Sequence, residues 1–147
     1  MIQPASRPIG ESDRERRIKV TVEAWSYMWS YKGKARTLTC PVGTVWDGMS
    51  VPRWAVSFCG LYPGGMSDGP SLAHDTLYRA AGGAKPEAWN GSIITGDTSL
   101  VSRAESDWVL HMAMIDAGFS QYRAWVARAA VRVGGRKHWG GPTPETN

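Results

Sequence analysis

The sequence predicts an α+β fold: an N-terminal antiparallel β-hairpin or small sheet packed with about three C-terminal helices. Three observations predict it. Apolar and polar residues alternate from Ile18 onward, which is the period of a strand. Turn chemistry in "KGK", residues 32–34, separates that run from a second strand-like run, "ARTLTC". Past residue 100 the period becomes helical, with a capping motif at one start and a glycine at its stop. The 147 residues suit one domain, long enough to bury a single core without staples.

Residues 1–16, "MIQPASRPIGESDRER", mix Pro, Gly and charges of both signs. They read as a flexible arm, or as one ordered on a partner. The globular domain is then 17–135, and 136–147 form a Gly/Pro-rich tail. In the first strand Ile18, Val20, Val22 and Ala24 alternate with Lys19, Thr21, Glu23 and Trp25. "TVWDG" reads as a short third strand ending in a turn. A Pro- and Gly-rich stretch follows, with room for a helical turn at 53–58. Pro70 suits the first turn of a helix, capped by Asp68 or Gly69. Gly82 and Gly83 are its expected stop.

Residues 84–98 read as an inserted loop or small hairpin around an Asn90–Gly91 turn. Ser102-x-x-Glu105 is a capping box, and its helix runs to Asp116 and stops at Gly118. The last helix spans about Ser120 to Val133. Tyr122, Trp125, Val126, Ala129, Ala130 and Val133 form its expected apolar stripe.

Net charge is +4, which is compatible with anionic partners. Neither basic run interleaves with aromatics in one surface patch, so no specific nucleic acid is indicated. Eight Trp suit packed cores, protein interfaces or sugar-binding surfaces. Cys40 and Cys59 lack zinc-site spacing and read as buried free thiols. No signal-peptide pattern opens the chain. No apolar run approaches the ~20 residues of a membrane span.

Four stretches carry polar residues that local structure does not demand. They are "WDGMSVP", "AHDTLY", "SRAESDW" and the arginines of the last helix. His74, Leu77 and Tyr78 share one helical face, and Leu77 marks it as buried. Asp75 points roughly 100° away and faces Arg79 at i+4. Arg103 and Asp107 have the same spacing and predict an ion pair heading an apolar stripe. Arg128, Arg132 and Arg136 fall four apart and predict one exposed interface. His111, mid-helix among Met and Leu, and His138, in the tail, do not join this constellation.

Two readings stay open. In one, Asp47, His74, Asp75 and Asp107 form a catalytic site, with His74 as base and a carboxylate orienting it. A histidine among carboxylates could also hold a divalent cation. In the other, His74, Tyr78, Ser50, Arg103 and Asp107 form a buried structural network, with Asp47 capping the "DGMS" turn. The His-Asp-x-x-Tyr string is similar to one in secreted calcium-dependent phospholipases. Those enzymes need a dense disulfide framework and a Gly-rich calcium loop, so the likeness reads as local convergence.

In order, Asp47-Gly48-Met49-Ser50-Val51-Pro52, His74-Asp75-Thr76-Leu77-Tyr78 and Ser102-Arg103-Ala104-Glu105-Ser106-Asp107 resemble a family of phage and prophage proteins. This is the domain of unknown function 1353 family, and the likeness runs over roughly 35–135. Trp46 and Met49 stand where the family usually has Thr and a small residue. The resemblance implies a phage virion component, a structural or accessory protein of the tail or tail tip. It implies manufacture in the host cytoplasm without a signal peptide. Its partners would be other tail proteins in a multi-subunit assembly, and no cofactor is expected. The alternative is a phage-encoded hydrolase acting on the cell envelope through His74.

Overall fold

The computed structural model describes residues 1–12, 15–16, 18–46, 53–59 and 65–140. Strands β1 (Ser6–Pro8), β2 (Lys19–Thr21) and β5 (Val45–Trp46) form one antiparallel sheet in the order β1-β2-β5. Strands β3 (Trp25–Tyr31), β4 (Lys34–Cys40) and β6 (Ile93–Gly96) form a second, in the order β3-β4-β6. A short helix, α1 (Arg53–Cys59), precedes three longer ones: α2 (Asp68–Arg79), α3 (Arg103–Ala117) and α4 (Gln121–Gly134). Strands are mostly N-terminal and helices mostly C-terminal, so the fold is α+β.

The alternation from Ile18 does not make one strand. Thr21 breaks it. Its hydroxyl donates to the Pro41 carbonyl at 2.8 Å and accepts from the Thr44 amide at 2.9 Å, pinning β2 to the connection before β5. The chain then restarts as β3 in the opposite phase. Trp25, Tyr27 and Trp29 face inward, while Val22 is 45% exposed. Neighbouring rings lie 6.3 and 6.2 Å apart, nearly parallel. Three large rings bury far more apolar area than Val22 and Ala24 would, and that decides the phase.

Lys32 and Gly33 both take positive φ, 49° and 78°. This is the two-residue hairpin turn whose twist matches the strands, and it sets Tyr31 opposite Lys34. The stretch read as a loop or hairpin at 84–98 supplies the third strand. Asn90 (φ 51°) and Gly91 (φ 87°) turn the chain, and β6 then runs along β4.

Residues 1–9 were expected as part of an arm. They lie along their own domain instead. Trp25 Nε1 donates to the Ile2 carbonyl at 2.8 Å, and β1 covers the open edge of β2. Gly69 sits in the first turn of α2, where the amide has no partner within the helix. Gln3 Oε1 accepts from it at 2.7 Å. Part of the tail is also packed: Gly140 N donates to the Tyr78 carbonyl at 2.6 Å, and Trp139 stands edge-on to the Tyr78 ring.

Helix α3 divides two core clusters. Val109 and Ala113 join the one under the sheet rings, with Leu38, Trp46, Leu72 and Leu77. Leu110 and Met114 join the other, with α1 and α4. Each cluster holds one free, buried thiol, Cys40 or Cys59, as expected. Desolvation pushes both thiols above the usual thiol range.

The predicted stripe of α4 needs correction. Ala124, Val126, Ala127, Ala130 and Val131 face inward. Tyr122 (64%), Trp125 (59%) and Val133 (88%) face outward. Small residues let α4 approach its neighbours closely, and the bulky ones are left outside. Among the described residues no helix is long and apolar enough to cross a membrane.

Candidate functional site: a carboxylate joining three helices

Helices α2 and α3 pack side by side, and α4 packs on α3. Ser102 caps α3 by accepting from the Glu105 amide at 3.0 Å. That start places Asp107 in the second turn, facing α2. Asp107 has no solvent exposure. Its Oδ1 lies 3.0 Å from His74 Nε2 and accepts from the Tyr78 hydroxyl at 2.6 Å. Its Oδ2 accepts from Arg132 Nη1 at 2.8 Å. His74 and Tyr78 therefore do share a buried face, with Leu77 between them.

The expected ion pair between Arg103 and Asp107 does not form. Arg103 Nε donates to the Tyr78 hydroxyl at 3.2 Å. Its Nη2 donates to the carbonyls of Val131 and Arg132, at 2.9 and 2.8 Å. Those belong to the last turn of α4, where the Val131 carbonyl also accepts from the Gly135 amide at 2.8 Å. Arg103 thus adds a side-chain donor to the end of α4, and Arg132, from the same turn, supplies the cation for Asp107. One carboxylate thus ties α2, α3 and α4 together.

Burial pushes the Asp107 carboxyl up. The hydrogen bond and charge of His74, with Tyr78 and Arg132, outweigh it and hold the group below the usual carboxylate range. Burial raises Tyr78, and the neighbouring Asp107 raises it further. An ionised carboxylate only accepts, so Nε2 of His74 carries the proton toward it. In the neutral ring Nδ1 is then the acceptor. A base with an orienting carboxylate has this arrangement.

Asp75 lies elsewhere. Its Oδ2 is 3.7 Å from Arg79 Nη1, the i+4 pair that the spacing predicts. Arg79 Nη1 also donates to the Val45 carbonyl at 2.6 Å, joining α2 to β5. Asp47 and Ser50, with the whole Asp-Gly-x-Ser-x-Pro string, lie outside the described residues. Of the four candidate catalytic residues, the structure brings together His74 and Asp107. Among the described residues no group of three or more His, Cys, Asp or Glu side chains could hold a metal ion.

The three arginines expected on one face have different roles. Arg128 sits over the Trp108 ring, 4.9 Å from its centroid. Arg132 holds Asp107, and Arg136 falls beyond the helix, in a 3₁₀ turn. His111 stacks on Trp108 with ring centroids 5.3 Å apart.

Sequence reasoning missed a second charged cluster. Arg36 Nε lies 2.8 Å from Glu105 Oε2, and its Nη2 3.1 Å from Oε1. Trp29 Nε1 donates to the same Oε2 at 2.8 Å. The capping box is therefore half used: Ser102 caps Glu105, but the Glu105 carboxylate goes to the sheet. The missed signal was Arg36 in the inward phase of β4, beside Leu38 and Cys40. A charge there demands a buried partner.

The sequence profile of the family described as "Protein of unknown function (DUF1353)" matches residues 23–131. The chain belongs to that family. No curated protein and no solved structure matches it.

Proposed function

We propose that the chain is an assembly component that docks on neighbouring proteins through the outer face of α4, and that the assembly is a bacteriophage particle, at the tail or its tip. The carrying observation is the exposure of Tyr122, Trp125 and Val133 on one side of a helix whose inner side is fully packed. Large exposed apolar residues grouped on one face mark interaction sites, and Trp, Tyr and Arg are the residues such sites favour. The virion setting comes from the family's motif strings. The closed state of Asp107 supports an architectural role for the His-Asp motif.

The N-terminal segment is a poor place to test this, because removing it would strip an edge strand and the Gly69 contact. Changing Tyr122 and Trp125 to Ser leaves the core untouched. The expected result is an unchanged fold and a sharp fall in the amount of protein in purified particles. Unchanged incorporation would refute the reading.

A second reading is an envelope-acting hydrolase, favoured by the contact of His74 Nε2 with the buried Asp107. His74 would take a proton from water through Nδ1. The test is hydrolysis of lipid and cell-envelope substrates by the wild-type chain and by His74→Ala, with bound divalent metal assayed alongside. Turnover that is lost with His74 would establish this reading, and its absence would remove it.

A further inference from the structure

Four of the described strands lie at sheet edges, and three of them are guarded. β1 is three residues long and ends in Pro8, β5 has two residues, and β6 has four and ends at Gly96. Shortness, Pro and Gly all discourage an edge from pairing with another chain. The fourth strand, β3, has none of these guards. It runs for seven residues, Trp25–Tyr31, in unbroken one-to-one register with β4, and it contains no Pro, Gly or charge.

The direction of its free backbone groups follows from the other side of the sheet. Asp97 N donates to the Ala35 carbonyl at 2.9 Å, so odd-numbered residues of β4 bond toward β6 and even-numbered ones toward β3. The partners of those even-numbered residues are Trp25, Tyr27, Trp29 and Tyr31. Ser26, Met28 and Ser30 therefore turn their amides and carbonyls outward, and no described residue takes those groups up. Their side chains are exposed as well, with Met28 at 72%.

We propose that the β3 edge pairs antiparallel with the β3 edge of a second copy of this chain, on a two-fold axis through Met28. What selects a second copy is the symmetry of the strand itself. Read from either end, β3 is aromatic-Ser-aromatic-Met-aromatic-Ser-aromatic. A two-fold interface needs such a self-complementary patch. The axis sets Met28 against Met28 of the second copy, and Ser26 against Ser30. Each of these pairs exchanges two backbone bonds. On the inner face Trp25 comes opposite Tyr31, and Tyr27 opposite Trp29, the aromatic pairings that stabilise sheets. The same register carries the exposed Glu23 of each copy toward the Lys32–Gly33–Lys34 turn of the other, where the charges are complementary. Two three-stranded sheets become one continuous sheet. This edge is separate from the outer face of α4, so either can fail without the other.

The test is sedimentation of the full chain over a micromolar concentration series, with hydrogen exchange read at individual amides. The expected result is a monomer–dimer equilibrium in which the Ser26, Met28 and Ser30 amides are protected in the dimer. Met28→Lys and Met28→Glu each place like charges on the axis. That side chain is exposed, so both variants should keep the wild-type circular dichroism spectrum. Each alone should dimerise about tenfold or more weakly, and an equimolar mixture of the two should regain the dimer. Tyr122→Ser with Trp125→Ser should dimerise as wild type does. A monomeric wild type, unprotected amides at those three positions in the dimer, or a dimer that survives both Met28 changes would each overturn the proposal. So would a mixture no more associated than its parts, or a dimer lost with Tyr122 and Trp125.

Discussion

The Tyr78 hydroxyl donates to Asp107 Oδ1 at 2.6 Å, and the same oxygen faces His74 Nε2 at 3.0 Å. Two residues four apart on α2 thus converge on one atom of α3. Behind them Arg103 donates to the Tyr78 oxygen and holds the end of α4. Tyr78→Phe would keep the ring and its edge contact with Trp139. It would remove one bond from Asp107 and one acceptor from Arg103. The expected loss is about 1–2 kcal/mol in urea unfolding, the cost of an unmade buried hydrogen bond. Stability equal to wild type would show that the hydroxyl does not tie the helices.

Asp107 should give the chain a distinct acid limb. Its folded pKa lies below the ordinary value near 3.9 of an unfolded Asp. Below about pH 4 the unfolded chain therefore binds a proton that the folded chain resists. The stabilisation is complete above that range and is lost as pH falls through it toward the folded value. Unfolding free energy measured from pH 7 down to pH 3 should fall for wild type. The fall should be shallower for Asp107→Asn. Parallel profiles would contradict the shift.

The second buried pair predicts a different pattern. Glu105→Ala leaves Arg36 charged and wholly buried, with the partly exposed Asp97 carboxylate, 3.5 Å away, in place of its close buried partner. Breaking such a pair from one side costs about 3–5 kcal/mol. Replacing both, as Arg36→Met with Glu105→Leu, should recover most of that loss. A double variant no more stable than Glu105→Ala would show that the pair contributes more than charge balance.

Much of this architecture was legible from the residues. The two-residue turn at Lys32–Gly33, the Ser102 cap, the Gly118 stop and the shared face of His74 and Tyr78 are local rules, and the chain obeys them. The misses are tertiary. Alternation at Ile18–Ala24 was overruled by three aromatic rings with more area to bury. Helical periodicity put Val126 and Ala130 on the inner stripe of α4, where they lie, but close helix packing left Tyr122 and Trp125 outside. Arg103 has ideal spacing for Asp107, yet it goes to the Tyr78 hydroxyl and to the last-turn carbonyls of α4, and Arg132 takes its place. No i+4 rule can see a residue 25 positions away.

The central claim is that Asp107 is a structural joint for three helices. Equilibrium unfolding of Asp107→Asn tests it most directly, because the change keeps size and removes the charge that His74, Tyr78 and Arg132 share. The account predicts a loss of roughly 2–5 kcal/mol at pH 7. A variant as stable as wild type, or more so, would contradict it. That outcome is typical of a residue kept for chemistry at the expense of stability.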